Sequence, residues 1–166
     1  MTTDELTLPS GYNAAGERLV AGVVPLNPSK THVLLIQSTR RLEWVLPKGG
    51  WENDETCHEA AQREAWEEAG IVCNITRDLG DIHERERSKE KSLKNGDANG
   101  NGKGDRQKAL LRFFEATVTE EKDEWPEREK RSRKWFTWEE AWTALAPRPE
   151  LREALEKSSL NPALQR

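Results

Sequence analysis

The chain has 166 residues, and apolar and charged residues each make up 34% of it. Folded domains average roughly 45–50% apolar and about 25% charged residues, so this chain is unusually polar for the length of one domain. Its formal net charge of −4 argues against a nucleic-acid partner, and no apolar run approaches the ~20 residues that span a bilayer. With two cysteines and no secretory signal, the chain is expected to be cytoplasmic or nuclear.

The chain has polar segments at both ends and a third polar segment inside the folded domain. We expect a flexible N-terminal segment at residues 1–16, a folded domain at 17–158 and a C-terminal tail at 159–166, with fraying from Ser158. Residues 88–106 (SKEKSLKNGDANGNGKGDR) contain a single Leu and cannot bury enough surface to offset their ordering entropy. We expect a mobile loop insertion there. The alternative is a flap that brings its Lys and Arg side chains to an anion.

Short runs rich in apolar and β-branched residues predict the strands. They are Leu19–Pro25, His32–Ile36, Trp44–Leu46, Ile71–Ile82, Ala109–Val118 and Lys134–Thr137. Helical segments lie between and after these strands. This interleaving favours an α/β or α+β sandwich with the helices outside a central sheet.

The longest predicted helix lies in the middle of the chain. Glu55–Ala69 contains no Gly or Pro and is followed by Gly70, a residue typical of helix ends. The spacing of Thr137 and Glu140 is typical of a capping box and predicts a second helix directly after it. A last helix is predicted at Pro149–Lys157, where Pro occupies a favourable first position.

Three glutamates share one face of the first predicted helix. Glu64, Glu67 and Glu68 are spaced i, i+3 and i+4, so like charges adjoin and a compensating cation is expected. Mg²⁺ suits such a face because it takes one or two carboxylates and keeps waters and substrate phosphates. The alternative is an ordinary solvated face. Arg63 pairs with Glu55 only if the chain before the helix folds back on it.

A glycine pair precedes this helix. Gly49 and Gly50 follow a predicted strand, in a loop where small residues allow backbone N–H groups to approach a phosphate. The neighbouring Lys48 supplies a positive charge. A phosphate cradle upstream of a metal-binding carboxylate face indicates metal-assisted attack of water on a phosphate anhydride.

These residues match a known family pattern. Gly49, then Glu55 after five residues, then Arg63–Ile71 (REAWEEAGI) after seven more fit the Nudix box, so the chain resembles the Nudix hydrolases. Further segments resemble the diphosphoinositol polyphosphate phosphohydrolases, in a form close to the fungal members, which also act on diadenosine polyphosphates and inorganic polyphosphate. These segments are Arg18–Gly22, Ser38–Arg40, Trp44–Glu52, Trp66–Gly70 and Arg148–Leu155.

The resemblance implies a fold and a catalytic arrangement. The implied fold is an α/β/α sandwich with a mixed central sheet, in which the box forms a loop–helix–loop. The implied metal ligands are Glu64 and Glu68, and Glu67 is implied as the general base that also shares in metal binding. Glu55 and Arg63 are implied to orient the box. The implied cofactor is Mg²⁺, with Mn²⁺ as an alternative.

The resemblance also implies a set of substrate-binding residues and a reaction. The residues implied to bind substrate are Arg18, Ser38, Thr39, Arg40, Lys48, Gly49, Gly50, Arg131, Arg133 and Arg148. The implied activity is removal of the terminal phosphate of diphosphoinositol polyphosphates by a monomer without nucleic-acid or membrane partners. The alternatives are hydrolysis of diadenosine polyphosphates, cleavage of polyphosphate, RNA decapping, and a catalytically silent inositol-phosphate sensor.

Overall fold

The computed structural model describes residues 11–84 and 108–165. The expected loop at 88–106 and the first ten residues lie outside this range. In the described part, no helix is long and apolar enough to cross a bilayer. Residues 11–16, expected to be flexible, form a turn in which the Asn13 side chain accepts from the amides of Ala15 and Glu17.

Seven strands and three α-helices make up the described fold. The strands are β1 (Arg18–Leu26), β2 (Val33–Ser38), β3 (Trp44–Val45), β4 (Lys48–Gly50), β5 (Ile71–His83), β6 (Ala109–Glu121) and β7 (Arg131–Phe136). The α-helices are α1 (Cys57–Glu64), α2 (Trp138–Ala144) and α3 (Pro149–Lys157). A π-helical turn at Ala65–Ala69 extends α1, and a 3₁₀ turn lies at Pro162–Leu164.

The strands form one mixed sheet, as the resemblance implied. Its order is β3-β2-β1-β6-β5, with β4 paired to β1 and β7 paired to β2. β1 and β6 run parallel, and the other pairs are antiparallel. β1 meets β2 only at Leu26 and Val33 and pairs with β4 nearer its start. β4 contacts both β1 and α1.

Helices cover both faces of the sheet, so the α/β/α sandwich is confirmed. On one face, α1 and its π-helical turn bury alanines, and this small side chain allows the helix to approach the sheet closely. On the other face, Leu151 and Leu155 of α3 pack with Val20 and Val24 of β1. The alternating side chains of β1 therefore serve two separate cores.

The first helix begins later than predicted. Thr56 is its N-cap, and Thr56 and Glu59 form a reciprocal capping box, so Glu55 lies before the helix. The absence of Gly and Pro could not mark this start, because the cap depends on Thr56 satisfying unpaired amides. The predicted capping box of Thr137 and Glu140 at the start of α2 is confirmed.

The predicted fraying from Ser158 is wrong. Ser158 is buried, and only 3% of Leu160 is exposed. The Ser158 hydroxyl donates to the Leu155 carbonyl (2.7 Å), and the Ser159 amide donates to the buried carboxylate of Glu115 (2.8 Å). These bonds fix the chain beyond α3 against β6.

Candidate active site

Arg63 ties the start of the box to its helix. Its Nη2 and Nε atoms donate to the two carboxylate oxygens of Glu55 at 2.6 and 3.0 Å, and Nη2 also donates to the Gly50 carbonyl at 3.0 Å. This bidentate hydrogen bonding lowers the pKa of Glu55. The chain before α1 therefore folds back on the helix, which is the condition under which Glu55 and Arg63 can pair.

The same arginine also contacts two of the three glutamates on this face. Its Nη1 atom donates to Glu64 at 3.1 Å and to Glu67 at 3.3 Å. Glu64 lies 10% exposed at its side chain, whereas the side chain of Glu67 is 36% exposed. Glu67 is consequently the carboxylate of this pair that water reaches more readily.

Gly49 lies directly against the Glu64 carboxylate. A Cβ atom at Gly49 would overlap the carboxylate carbon and both of its oxygens. The glycine pair belongs to β4 and not to the predicted loop. Glycine is therefore required at position 49 because the Glu64 carboxylate lies beside it. The sequence alone instead indicates the approach of a phosphate as the reason for the small residue.

Glu64 and Glu68 are both buried. Burial raises the pKa of Glu64, and the nearby charge of Glu67 adds to this effect. Burial also raises the pKa of Glu68 to about 7, although Arg131 and the Lys48 amide favour its ionised form. Both carboxylates are thus costly to ionise without a further positive charge nearby.

A divalent cation fits this donor set. Within residues 11–84 and 108–165, no three acidic, His or Cys side chains already surround a common metal position. Mg²⁺ needs only one or two protein carboxylates, because water and substrate phosphates complete its coordination. Glu64 and Glu68 are the residues that would hold it, since a nearby cation would offset the cost of their burial.

Three basic side chains meet in a cavity of about 230 Å³. They are Arg18, Lys48 and Arg148, and the remaining lining comes from Val20, Glu84, Ala109 and Leu111. Burial, followed by the positive charge of Arg148, lowers the pKa of Lys48. Arg148 is oriented by the buried Glu150, which accepts from its Nε atom at 3.0 Å. The cavity therefore concentrates positive charge.

β4 connects the cavity to the carboxylates. Among the described strands, β4 pairs with β1 alone, which leaves one edge of β4 unpaired. At this edge the Lys48 amide donates to the Glu68 carboxylate at 3.1 Å, while the Lys48 side chain lines the cavity. Lys48 therefore joins the lining of the basic cavity to the buried Glu68 carboxylate.

Residues at the end of β2 are connected to Glu68 through Arg131 of β7. Ser38 is paired with Arg131 in the β2–β7 register, and Nη2 of Arg131 lies 3.6 Å from Glu68. The Ser38 hydroxyl accepts from the amide of Arg40, and the amide of Thr39 donates to the Lys130 carbonyl. The structure therefore groups these residues at one end of the β2–β7 pair.

Arg133 does not join the predicted substrate grip. Its Nη1 atom donates to the carbonyls of Ala69 at 2.9 Å and Gly70 at 3.3 Å, and its guanidinium lies over the Trp125 ring. The guanidinium thus donates to carbonyls at the end of the box helix, which have no hydrogen-bond partners within the helix. Spacing along the sequence gave no signal for this contact.

Three residues near the site were not predicted. Trp125 and Glu127 contact the end of the box helix, and Glu150 orients Arg148. The first two contacts join residues far apart in the chain, so no local pattern indicates them. Glu150 lies two residues after Arg148, and this short spacing of opposite charges was the one available signal.

Comparison with known proteins agrees with this geometry. The NUDIX domain model matches residues 16–158. Nudix hydrolase 12 of Arabidopsis thaliana, named as mitochondrial, is 43% identical over 113 residues, which cover 68% of this chain and 51% of that protein. The chain thus spans about half the length of that relative. Diphosphoinositol polyphosphate phosphohydrolase 3-alpha of Mus musculus is 32% identical over 132 residues, covering 77% and 69% of the two chains.

Solved structures show the same fold. A NUDIX hydrolase from Nitrosomonas europaea superposes with a TM-score of 0.65 at 18% identity and covers 85% of this chain and 87% of its own. A C. elegans Ap4A hydrolase binary complex gives a TM-score of 0.59 at 22% identity, with coverage of 84% and 93%. At these identities the similarity supports the fold.

The expected cytoplasmic or nuclear location is contradicted by the relatives. Nudix hydrolase 12 and Nudix hydrolase 16 of Arabidopsis thaliana are both named as mitochondrial; the latter is 38% identical over 138 residues, covering 76% of this chain and 71% of that protein. Cysteine usage separates reducing from oxidising compartments, but it does not distinguish the cytosol from the interior of an organelle. The family-model match over residues 16–158 and the identity to these relatives show that the chain belongs to the Nudix hydrolase family.

Proposed function

We propose that this chain hydrolyses phosphoanhydride bonds with the help of Mg²⁺ and removes the terminal phosphate of diphosphoinositol polyphosphates. One observation carries the proposal. Lys48 lines the basic cavity with Arg18 and Arg148, and its amide donates to the buried Glu68 carboxylate at 3.1 Å. A densely phosphorylated substrate beside Lys48 places one anhydride beside the carboxylates while its other phosphates enter the cavity.

The charge of the cavity suits such a substrate. An inositol pyrophosphate carries many negative charges, and a cluster of cations is needed to replace its hydration. Arg offers paired donors to phosphate oxygens, and Lys acts as a point charge. The net charge of −4 does not oppose binding, because the field at the cavity depends on the local charge distribution.

The proposed chemistry begins with a water molecule near Glu67. When bound, the divalent cation polarises the phosphate oxygens and lowers the pKa of water. Glu67, the most exposed of the three glutamates, accepts a proton from water as the water oxygen attacks phosphorus. The bridging P–O bond then breaks, and its electron pair stays with the leaving phosphate. Arg18 and Arg148 offset the charge that develops there.

The composition of the cavity favours inositol phosphates over dinucleotides. An adenosine group needs an aromatic or apolar surface for stacking, and none of the cavity residues in the described part of the chain is aromatic. The similarity to the mouse diphosphoinositol polyphosphate phosphohydrolase adds support. Hydrolysis of diadenosine polyphosphates, the alternative that the C. elegans relative raises, requires a stacking surface supplied from elsewhere.

The test compares Arg148→Ala with the wild-type chain on two substrates. We expect KM for an inositol pyrophosphate to rise about tenfold or more, given one lost charged contact, while KM for diadenosine hexaphosphate rises less. Arg152→Ala is the matched control, because Arg152 lies one turn further along α3 and donates to the Trp142 carbonyl. Equal changes on both substrates would argue against an inositol-specific grip. Binding without turnover by the wild-type chain would favour the sensor alternative.

A further inference from the structure

One segment of the chain encloses the C-terminal end of the box helix. We name residues 122–133 the clasp. Four consecutive carbonyls of the box accept hydrogen bonds from it. The donors are Glu127 N to Glu67 O (3.0 Å), Trp125 Nε1 to Glu68 O (3.2 Å), Arg133 Nη1 to Ala69 O (2.9 Å) and Lys122 N to Gly70 O (2.8 Å). The carbonyls of both Glu67 and Glu68 are therefore held by the clasp.

The clasp supplies hydrogen-bond donors to carbonyls at the end of the box helix. The last carbonyls of a helix have no partners within it, and solvent usually satisfies them. Here the final turn is π-helical, and the Gly70 amide bonds back to the carbonyls of Ala65 and Trp66. Single π-helical turns recur at functional sites because they change the direction of side chains. The clasp holds this turn through its own donors.

Trp125 and Arg133 form the centre of the clasp. The Arg133 guanidinium lies 4.2 Å from the centre of the Trp125 ring, a cation–π arrangement. The ring packs so closely under Gly70 that a Cβ atom there would overlap it. Gly70 also has a φ of +69°, so two constraints require glycine. A cation at the negative end of the helix dipole adds electrostatic stabilisation.

The clasp also reaches the carboxylates through side chains. Arg131 Nε donates to Glu127 at 3.0 Å, and its Nη2 atom lies 3.6 Å from Glu68. The clasp thus contacts Glu67 and Glu68 through both its backbone and its side chains. A shift of about 1 Å in a reacting group can lower a rate about a hundredfold, so this support bears directly on catalysis.

We infer that Trp125 and Arg133 are positioning residues. They hold carbonyls at the end of the box helix so that the carboxylates of Glu67 and Glu68 meet the metal and the attacking water. The inference rests on the metal site of the proposed function. It assigns Arg133 a place behind the carboxylates and away from the substrate.

The test uses Trp125→Phe, which keeps a ring and removes the donor to Glu68, together with Arg133→Met and Arg133→Lys. Trp142→Phe is the matched control, since Arg152 lies 4.2 Å from the Trp142 ring in the same stacking arrangement away from the box. Three quantities are measured for each variant. They are amide hydrogen exchange in residues 65–70 without metal, Mn²⁺ affinity by calorimetry, and kcat and KM for an inositol pyrophosphate.

We expect faster exchange in residues 65–70 and Mn²⁺ binding weaker by about 10–100-fold in Trp125→Phe and Arg133→Met, as for other residues that support metal ligands. We also expect kcat to fall with KM unchanged, Arg133→Lys to recover part of the loss, and Trp142→Phe to match the wild type. Unchanged exchange or unchanged Mn²⁺ affinity overturns the inference, as does a rise in KM alone. If the wild type binds Mn²⁺ and the clasp effects hold but no anhydride is cleaved, the proposed function fails and the inference stands.

Discussion

Gly49 and Glu64 are in such close contact that a single methyl group cannot be placed between them. Gly49 lies in β4 and Glu64 ends α1, so the contact fixes the distance between the strand and the box helix. Arg63 Nη1 also donates to the Glu64 carboxylate at 3.1 Å. The carboxylate therefore contacts both the strand and the arginine that precedes it in α1.

Gly49→Ala should displace the Glu64 carboxylate without unfolding the chain. The added methyl group meets the end of a side chain that can rotate, so the fold tolerates it at a cost of about 1–3 kcal/mol. We expect metal affinity and activity to fall about 10–100-fold. Calorimetric titration with Mn²⁺ measures this loss, and Gly50→Ala, where the nearest atom to a new Cβ is Arg18 Nη2 at 3.5 Å, controls for the effect of replacing a glycine in the same strand. Wild-type metal affinity in Gly49→Ala would contradict the account.

Glu67→Gln and Glu68→Gln should each abolish phosphate release while the fold survives. Gln keeps the size of the side chain and removes the charge that holds the metal or accepts the proton. Circular dichroism and thermal unfolding establish that the variants are folded. Glu68→Gln should also remain at least as stable as the wild type without metal, because burial makes the Glu68 charge costly. Full activity in either variant would remove that residue from its assigned role.

A pH-dependent part of the stability should come from Asp78. Arg112 donates to both of its carboxylate oxygens, at 2.9 and 2.7 Å, and lowers the pKa of Asp78 to about 2. The unfolded chain has an Asp pKa of about 3.9, so the folded state binds fewer protons between roughly pH 4 and pH 2. The stabilisation is therefore present above about pH 4 and is lost as the pH falls toward 2.

Asp78→Asn should flatten the fall in stability across that range. Urea unfolding at several pH values below 5 measures the slope, and Glu156→Gln, which removes an exposed carboxylate of α3, is the control. An unchanged slope in Asp78→Asn would show that the ion pair with Arg112 does not shift the titration. The site carboxylates are left intact by both variants, so activity at neutral pH serves as a check on folding.

Features that depend on local spacing were predictable from the sequence. The shared face of Glu64, Glu67 and Glu68 follows from helical periodicity, and the helix end at Gly70 follows from its position after the helical run. The capping box of Thr137 and Glu140 is likewise local. In each case the residues that interact lie within four positions of one another, so the pattern along the chain determines the contact.

Features that depend on tertiary contacts were not predictable. Arg133 and Ala69 are 64 positions apart, and the charge run around Arg133 was equally consistent with a substrate grip. The packing of the chain end depends on Glu115, which lies 44 positions before Ser159. The role of Gly49 was visible as a requirement for a small residue, but the partner that imposes the requirement became evident only from the fold.

The central claim is that the carboxylate face and the basic cavity act together on inositol pyrophosphates. The most direct measurement compares initial rates of the wild-type chain on an inositol pyrophosphate, diadenosine hexaphosphate and inorganic polyphosphate at one fixed Mg²⁺ concentration. We predict the highest kcat/KM on the inositol pyrophosphate and no phosphate release when the metal is chelated. A higher kcat/KM on diadenosine hexaphosphate, or release that persists after chelation, would contradict the account.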